Sequence, residues 1–506
     1  MGESNMRKLA ISLSLLLLVL LTASLGREQA RGPVAVREEA RVEIVINDLG
    51  LTFPDGMDEN TNPYIAYVRE ETELDVRVEL PPSEVYEEKL NAIMASGKLP
   101  DLIHTYNPVW VDEYVDRGKL LPLDYLLATY GQELLRRIPE EAWARVRYEG
   151  EIYAIPSLME VQGTELMYAR KDWLDRLGLG PPVTLDDYYE VIRAFAEDDP
   201  DGNGKDDTIG LLLTEDLGRS APLLGAFGVQ RGIWLERGGE LVYGSTLPEM
   251  KEGLAFLARL YREGLLDPLF PLNRNGNLID KIAGGQVGLY SAAWYDTRGP
   301  IAQSMRNDPE AEWIALDYPV GPSGTYGVYG NNLIRGFNVT PVGAEHPERV
   351  VQLLNFIAGD GAKALKLGFE GEIWTMEDGR MVTDFPEHDK HLYRGMYQAL
   401  VDIPDPLLDK RRLDSLGEQF RLYDNQQRIA HNLIPDRFYG TPTPAMSGHM
   451  TRLRELEEVF TRIVVGVDPP EAFDDFVAQW YAEGGEQITR EVNAWYDAQR
   501  EEDGSS

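Results

Sequence analysis

An oxygen-rich segment at residues 199–207 has the residue types and spacing of a calcium-binding loop. Ca²⁺ prefers oxygen ligands, and a loop that binds it supplies them at alternate positions, with a glycine at the sharp turn. Counted from Asp199, oxygen-bearing side chains occupy positions one, three, five and nine, and Gly204 occupies position six. The pattern predicts a calcium site with these ligands, completed by further groups or water: Asp199, Asp201, Asn203, the carbonyl of Lys205, Asp207 and Thr208.

The end of this loop differs from that of a calcium sensor. A sensor loop places a bidentate Glu at position twelve, whereas this chain has Gly210 there. A solvated acidic turn is the alternative interpretation of so many neighbouring carboxylates. The alternating spacing favours calcium, and we predict that the ion has a structural role.

Motifs that would indicate catalysis are missing from the sequence. It contains no Gly-x-Ser-x-Gly elbow, no glycine-rich phosphate loop and no His-Glu-x-x-His helix. His388 and His391 are the closest pair among six histidines, and their surroundings indicate a polar helix start, with a metal site as the alternative. A glycoside hydrolase needs only two suitably spaced carboxylates, so it stays the alternative function. An adhesion module would show repeats or low-complexity linkers, and neither occurs.

The first residues predict export. Arg7 and Lys8 precede an apolar run at residues 9–21 and a small, polar stretch at 22–26, which is the order of a signal peptide. The run is shorter than the about 20 residues that cross a bilayer, so an uncleaved anchor is less favoured. We predict a signal peptide at residues 1–26 and a linker at residues 27–40.

Composition excludes several classes of protein. The chain has no cysteine, which excludes disulfides, thiolate metal sites and the lipid-modified lipobox cysteine that tethers many exported binding proteins. Its 85 acidic and 49 basic residues give a formal charge of −36, which disfavours nucleic-acid binding. A length of 506 residues with 43% hydrophobic content suffices for two globular domains.

The mature chain begins with alternating strands and helices. Residues 42–46, 76–80 and 100–103 predict three strands, with helices at 63–72 and after Ser83 between them. This order favours a parallel, doubly wound α/β sheet.

Further along, residues 149–156 and 331–338 are predicted crossings between domains. Thr184 and Asp187 predict a capping box that opens a helix, and helical patterns dominate the C-terminal part.

Four segments with distinctive sequences follow one another at residues 170–178, 369–374, 460–466 and 484–493, and the first leads into the acidic loop. In this order they resemble the extracellular solute-binding proteins of carbohydrate ABC importers, especially the branch of oligosaccharide-binding lipoproteins and alginate-oligosaccharide-binding proteins. The resemblance covers nearly the whole mature chain. It implies calcium in the acidic loop, where Thr208 replaces an acidic residue of some members.

The resemblance also implies a two-lobed periplasmic-binding-protein fold of the maltose-binding-protein type, with a helix-rich C-terminal part and ligand enclosed by hinge closure. The N-terminal lobe would comprise residues 41–155 and about 333–385. The C-terminal lobe would comprise residues 156–332 and about 386–506.

A saccharide ligand would need aromatic faces for its pyranose rings and polar groups for its hydroxyls. Residues 281–294 resemble a strand of the maltose-binding-protein type that ends in a cleft tryptophan, which makes Trp294 the main stacking candidate. Core packing is the alternative for any single tryptophan. The other predicted ligand-binding residues are Tyr295, Tyr106, Asn107, Trp110, Glu160, Glu370 and Trp374.

We therefore expect an exported, monomeric receptor without enzymatic activity, either periplasmic or at the extracellular face of the cell membrane. It would bind a saccharide, close over it and deliver it to the permease subunits of an ABC importer, with structural Ca²⁺ as the only cofactor and no nucleic-acid partner. The identity, length and charge of the sugar stay open. An acidic sugar would require cationic cleft residues, for which Arg298 and Arg335 are candidates.

Overall fold

The structure is a computed structural model that describes residues 41–504. The predicted signal peptide at 1–26 and linker at 27–40 lie outside the described residues. A search of the helices in the described range finds none with the length and apolar character that crossing a membrane requires.

The strands of the described chain are, in order, Arg41–Val45 (β1), Asp75–Glu79 (β2), Leu102–Thr105 (β3), Arg147–Tyr148 (β4), Glu151–Ile152 (β5), Ile155–Leu158 (β6), Glu165–Arg170 (β7), Trp234–Arg237 (β8), Glu240–Tyr243 (β9), Leu289–Ala293 (β10), Trp313–Ala315 (β11), Val328–Gly330 (β12), Ile334–Val339 (β13), Trp374–Glu377 (β14), Arg380–Thr383 (β15) and Leu433–Pro435 (β16).

The α-helices are Pro63–Thr72 (α1), Tyr86–Ser96 (α2), Pro108–Asp116 (α3), Asp124–Tyr130 (α4), Gln132–Arg137 (α5), Glu140–Ala144 (α6), Lys171–Leu177 (α7), Leu185–Glu197 (α8), Ala221–Gly225 (α9), Pro248–Arg262 (α10), Asn275–Ala283 (α11), Pro300–Asn307 (α12), Pro347–Ala358 (α13), Ala362–Leu367 (α14), Phe385–Lys390 (α15), Gly395–Gln398 (α16), Pro406–Ser415 (α17), Leu422–Ala430 (α18), Pro444–Leu456 (α19), Glu458–Val464 (α20), Ala472–Trp480 (α21) and Glu486–Gly504 (α22).

Local sequence signals set the start of several helices. α1 begins after Asn62, whose side chain accepts hydrogen bonds from two backbone N–H groups of the first turn, and a proline opens the helix. The Thr184 hydroxyl accepts from the Asp187 backbone N–H, and the Asp187 carboxylate accepts from the Thr184 backbone N–H. The capping box and the bounds of α1 are therefore confirmed.

The larger sheet has the strand order β2–β1–β3–β13–β6. β1 pairs in parallel with β2 and β3, as the alternating pattern predicts. β13 runs antiparallel to both β3 and β6, so the sheet is mixed, with the predicted parallel arrangement among β1, β2 and β3. The reason is connectivity: β13 arrives from the other lobe and enters the sheet from the opposite end, without the helical crossover that parallel neighbours need.

The second lobe contains a smaller sheet with the order β10–β7–β11, in which β7 is antiparallel to both neighbours. The core of the second lobe contains buried side chains from α7, α8 and α10 and from the C-terminal helices α19 to α22. Trp173 and Trp480 are fully buried there. The C-terminal helices therefore complete the core of the second lobe, in keeping with the predicted helix-rich end of the chain.

Buried residues form separate cores in the two lobes. One cluster contains residues up to Leu158 and again from Phe337 to Ile403, and the other begins at Met167 and continues into α22. Residues 393–403 thus pack in the first core, although the expected division assigned everything after about 385 to the second lobe. We therefore assign this segment to the first lobe.

Two neighbouring segments carry the chain between the lobes. The first joins β6 to β7, and the second joins β12 to β13. They are tied to each other, since the Met159 backbone N–H donates to the Leu333 carbonyl over 2.9 Å and the Asn331 N–H donates to the Gln162 carbonyl. These two crossings are therefore paired by backbone hydrogen bonds. The chain crosses a third time after Ile403, since it ends in the core of the second lobe, and connections of this kind permit hinge motion.

Asn338 lies at the centre of the larger sheet and is 1% exposed. Its amide donates to the carbonyl of Ile155 at 2.9 Å and to that of Leu400 at 2.6 Å. Because the Oδ1 atom can only accept, His104 Nδ1 donates to it over 2.9 Å. Burial lowers the pKa of His104 to about 4, so the imidazole is neutral at pH 7.

Asn338→Leu should lower the free energy of unfolding by about 2–4 kcal/mol, because it leaves two carbonyls and an imidazole N–H without partners in the core. Urea denaturation at pH 7 measures the loss. Asn307→Leu is the control, since exposed Asn307 also donates to a carbonyl, that of Ala283, and should change stability by less than about 0.5 kcal/mol. Equal losses in the two variants would contradict this role for Asn338.

Candidate functional site

Trp294 directly follows β10 and is held by bonds to two other segments. Its backbone N–H donates to the Thr164 carbonyl at 3.0 Å, and its carbonyl accepts from the Asn425 amide at 2.9 Å. The indole is half-buried, and the neighbouring ring of Tyr295 meets it edge-on with centroids 5.3 Å apart. Because Tyr295 is 51% exposed, the pair presents aromatic surface to solvent.

A buried carboxylate shapes the turn that carries these rings. Asp296 is 4% exposed, and its Oδ2 accepts from the Ala293 backbone N–H at 2.9 Å. Burial raises the pKa of Asp296, while Arg219, 3.7 Å away, opposes the shift. The turn is thus fixed from within the second lobe.

Aromatic residues from other segments pack against the same small cluster as Trp294. Phe385, Phe420 and Tyr423 pack with it around a small cluster formed by Leu413, Leu416 and Leu422. The Thr297 hydroxyl donates to the Phe420 carbonyl at 2.7 Å, and the Arg298 guanidinium lies 4.6 Å from the centre of the Phe385 ring. We call Trp294, Tyr295, Phe385, Phe420 and Tyr423 the aromatic patch.

Glu160 lies just after β6, in the first crossing between the lobes, and forms an ion pair with Arg412 on α17. Burial raises the pKa of Glu160, and the positive charge of Arg412 opposes that shift. Leu413, the residue after Arg412, belongs to the cluster against which Trp294 packs. Glu160 and the aromatic patch therefore adjoin the same helix.

A second ion network lies beside this pair. Lys366 is 4% exposed and lies 2.9 Å from Asp402 and 3.1 Å from Asp409. Burial disfavours the ammonium, but the two carboxylates outweigh it and raise the pKa of Lys366. Because the two carboxylates hold this cation, the network anchors α14 to the segment that leads into α17.

Trp110 and Trp374 were expected in the cleft, and the structure places both in the core of the first lobe, each 4% exposed. The Trp110 indole N–H donates to Asn91 at 2.9 Å, and that of Trp374 donates to the Gly368 carbonyl at 3.0 Å. The prediction for these two residues is therefore corrected to packing, because buried rings with satisfied N–H groups offer no face to a ligand.

Asn107 and Glu370 have local partners. The Asn107 side chain caps α3 by accepting from the Val109 N–H at 3.0 Å, and its amide donates to Glu87 at 2.9 Å. Glu370 is exposed and lies 3.4 Å from Lys363. The structure thus gives Asn107 a helix-capping role and Glu370 a surface ion pair.

Tyr106 lines a different feature, a groove of about 650 Å³ between the lobes. Tyr148, Tyr439 and Trp495 also line this groove, but Arg145 lies 4.0 Å from the Tyr439 ring centre. The Trp495 ring meets Phe438 and Tyr439 edge-on with centroids 4.9 and 4.8 Å apart. These rings are engaged with protein groups, in contrast to the exposed Tyr295.

Arg335 and Asp112 add charges to this second groove. Arg335 lies 6.0 Å from the Tyr106 ring centre. Asp112 accepts a hydrogen bond from Tyr148, and burial raises the pKa of Asp112 to about 6. The groove therefore combines engaged aromatic rings with paired polar groups.

The acidic loop follows α8, and hydrogen bonds within the loop engage several of its predicted ligands. The Asn203 amide donates to Asp201 at 2.7 Å and to Asp207 at 3.0 Å, and Asp199 Oδ2 accepts from the Gly204 N–H at 3.0 Å. The other oxygen of Asp199 is buried and has no hydrogen-bond partner. Burial raises the pKa of Asp201, and the negative charges of Asp207 and Asp199 add to that shift.

The remaining predicted ligands are used differently. The Lys205 backbone N–H donates to Asn203 Oδ1 at 2.7 Å, and the Thr208 hydroxyl donates to the Phe195 carbonyl at 2.8 Å. Within the described residues, no group of three or more His, Asp or Glu side chains is arranged so that it could hold a metal ion. The Asn203 amide, which lies between two carboxylates, is the group whose rotation would turn an oxygen toward them.

The family comparison decides the class of this two-lobed protein. The family model described as "Bacterial extracellular solute-binding protein" matches residues 50–364. The chain belongs to this family. Its members are binding proteins without catalytic activity, so the resemblance found in the sequence is confirmed and the hydrolase alternative is dropped.

Relatives in Bacillus subtilis (strain 168) match most of the solute-binding protein. Lipoprotein LipO is 26% identical over 466 residues, which cover 87% of this chain and 89% of LipO. The polygalacturonan/rhamnogalacturonan-binding protein YtcQ is 25% identical over 441 residues, which cover 83% of this chain and 84% of YtcQ.

Solved structures confirm the fold. The HMO-binding, ABC-transporter-associated solute-binding protein of Bifidobacterium longum infantis has a TM-score of 0.70 at 18% identity, with 91% of this chain and 99% of that chain covered. The alginate-binding protein AlgQ2, solved without calcium ion, has a TM-score of 0.64 at 17% identity, with 91% and 98% covered.

Four members of the site escaped the sequence analysis, namely Phe385, Phe420, Tyr423 and Arg412. No motif marks them, since each reaches Trp294 or Glu160 only through contacts between segments far apart in the chain. The one local signal is the Asp-Phe-Pro sequence, in which Asp384 caps α15 and so sets the position of Phe385.

Arg412→Met should lower the free energy of unfolding at pH 7 by about 1–3 kcal/mol, because Glu160 would stay partly buried without its cation. The loss should vanish below the unfolded carboxyl pKa of about 4.3, because Glu160 is then protonated in both states. Urea denaturation of the variant and the wild type at pH 7 and pH 4 measures this difference.

Arg421→Met is the matched control, since Arg421 pairs with Asp424 at 3.0 Å and both side chains are more than half exposed. Its removal should change stability by less than about 1 kcal/mol. A loss in Arg412→Met that is the same at both pH values would show that the ion pair with Glu160 is not its cause.

Proposed function

We propose that this solute-binding protein captures an oligosaccharide between its lobes and delivers it to the permease of an ABC importer. The observation that carries the proposal is the aromatic patch, in which half-exposed Tyr295 and half-buried Trp294 lie among side chains contributed by segments from both sides of the lobe crossings. The ion pair of Glu160 with Arg412 adjoins the same place.

The patch has the chemistry that pyranose recognition needs. Aromatic faces cover the C–H faces of sugar rings, while a few placed polar groups accept and donate to hydroxyls. Trp294 and Tyr295 provide the apolar surface, and Glu160 provides a carboxylate next to a cation. Tyr106 belongs to the second groove, where it would line the back of the hinge.

Closure would convert binding into a signal. Ligand that contacts both lobes binds the closed form more tightly and shifts the population toward it, and that form is the one a permease would engage. The proposed first lobe contains residues 41–158 and about 333–403, and the proposed second lobe contains most of the rest. The names of YtcQ and AlgQ2 support a saccharide as the ligand class.

The proposed cellular setting follows from the amino-terminal sequence. The predicted signal peptide at residues 1–26 would place a monomeric protein in the periplasm or at the extracellular face of the membrane. Because the chain has no cysteine, its retention near the permease would depend on protein contacts and not on a lipid.

Trp294→Ala should weaken saccharide binding by about tenfold or more, because it removes a central aromatic anchor of the kind that dominates binding sites. Calorimetric titration with a panel of neutral and uronic oligosaccharides measures Kd, and mass spectrometry checks that the sugar stays intact. Tyr125→Ala is the control, since Tyr125 is 79% exposed on α4. If Trp294→Ala binds the saccharide with unchanged affinity, the aromatic patch is not part of the binding site.

We further propose that the acidic loop binds a structural Ca²⁺. Three carboxylates and the Asn203 amide lie in one loop, and the buried, unpartnered Asp199 oxygen fits a cation better than it fits a solvated turn. Asp199, Asp201, Asn203 and Asp207 would hold the ion, together with the Lys205 carbonyl. The ion would neutralise the mutual repulsion of the carboxylates.

Asp199→Asn should abolish a calcium-dependent gain in thermal stability. We expect EDTA to lower the Tm of the wild type by several degrees and added Ca²⁺ to restore it, because an ion that binds only the folded state stabilises that state. Asp206→Asn is the control, since Asp206 lies exposed in the same loop outside the predicted ligand set. If EDTA leaves the wild-type Tm unchanged and elemental analysis finds no metal, the proposed calcium site is refuted.

A further inference from the structure

Basic side chains converge beside the aromatic patch of a protein whose formal charge is −36. Arg298 lies over Phe385, and His388 lies on α15, the helix that begins at Phe385. Arg412 forms the ion pair with Glu160, and Arg394 precedes α16. We call Arg298, His388, Arg394 and Arg412 the basic cluster.

Arg394 is the unusual member of this cluster. It is 6% exposed, its Nη1 donates to the His391 carbonyl at 2.8 Å, and its Nε has no hydrogen-bond partner. Among the described residues, no carboxylate lies within ion-pair distance of it. A buried cation without a counter-ion lowers the stability of the folded state. An anion that paired with this guanidinium would offset that cost.

The other members of the basic cluster add positive charge that an anion would also offset. The Nε of Arg412 is also buried without a partner, although another nitrogen of the same side chain pairs with Glu160. Burial lowers the pKa of Arg394, and the positive charge of Arg412 lowers it further. Burial likewise lowers the pKa of His388, and both Arg394 and Arg298 add to that shift.

A single carboxylate, that of Glu160, pairs with Arg412, and Asp389 faces His388 at 3.2 Å. His391 faces Glu372 at 3.6 Å and the Tyr64 hydroxyl at 3.2 Å, so it is already engaged. Arg394, which has no carboxylate partner, and Arg412, which keeps a buried Nε without a hydrogen-bond partner, are therefore the centre of the site.

We propose that the saccharide carries a carboxylate and that Arg394 and Arg412 bind it, with Arg298 at the edge of the same subsite. This inference rests on the proposed function and names the charge of its ligand. The planar fork of a guanidinium matches the two oxygens of a carboxylate. A uronic acid residue supplies such a group on a ring that the aromatic patch can cover. Arg335, the other sequence candidate, lies beside Tyr106 in the second groove.

The test uses trisaccharides of galacturonate, guluronate and mannuronate, each paired with its carboxyl-reduced neutral counterpart. Calorimetric titration of the full mature chain gives Kd for both members of each pair. At least one uronate should bind about tenfold or more tightly than its neutral partner, because hydrogen bonds to charged groups are the stronger ones.

Arg394→Gln should remove this preference and leave the affinity for the neutral partner within about twofold, while Arg394→Lys should retain part of it because it keeps the charge. Arg421→Gln, which removes an exposed arginine from a nearby segment, is the control and should keep the preference. Thermal melts confirm folding, and removal of an unpaired buried cation should not lower the Tm.

The results distinguish the acidic-ligand inference from the more general saccharide function. Neutral trisaccharides that bind as tightly as the uronates, or an Arg394→Gln protein that keeps the preference, would overturn the acidic-ligand inference and leave the saccharide receptor standing. If no member of the panel binds, the acidic-ligand inference is overturned, and the wider panel of neutral oligosaccharides then decides the proposed saccharide function.

Discussion

The architecture depends on a strand that belongs to one lobe but arrives from the other. β13 lies between β3 and β6 and is antiparallel to both, so its backbone groups must be satisfied by the first lobe after the chain has left the second. Buried backbone groups that lose their partners are costly, and Asn338 on this strand adds side-chain bonds to β6 and to residue 400. The pairing fixes where the lobes join and which residues lie at the joint.

The candidate site follows from that joint. Glu160 comes directly after β6, and Arg412 comes from the helix that follows the last segment of the first core. Trp294 is placed from the other side by β10 and by the Asn425 bond. In the proposed division, the second lobe thus provides the main aromatic ring, and the charged pair comes from the crossing after β6 and from α17. A ligand that needs both parts favours the closed form.

Net charge alone gives a misleading view of this protein. A strongly acidic chain repels anions at long range, yet the proposed basic cluster places positive charges beside the aromatic patch. Local desolvation determines what binds there, because charges act more strongly in a buried environment than across solvent. The acidic surface and a cationic cleft are therefore compatible.

Local signals in the sequence predicted those structural features that depend on residues close together along the chain. The bounds of α1 and the Thr184–Asp187 capping box are of this kind. The direction of β13, the burial of Trp110 and Trp374, and the membership of Phe385, Phe420 and Arg412 depend on segments far apart in sequence, which no local pattern records. The family resemblance supplied the fold class because it rests on the order of several segments at once.

The most direct test of the central claim is a crystal structure of the mature protein with a bound oligosaccharide that calorimetry has selected. The account predicts a pyranose ring against Trp294 or Tyr295, with Glu160 or Arg412 within hydrogen-bond distance of its substituents. A saccharide bound only in the groove lined by Tyr106, Tyr148 and Trp495 would contradict the assignment of the site.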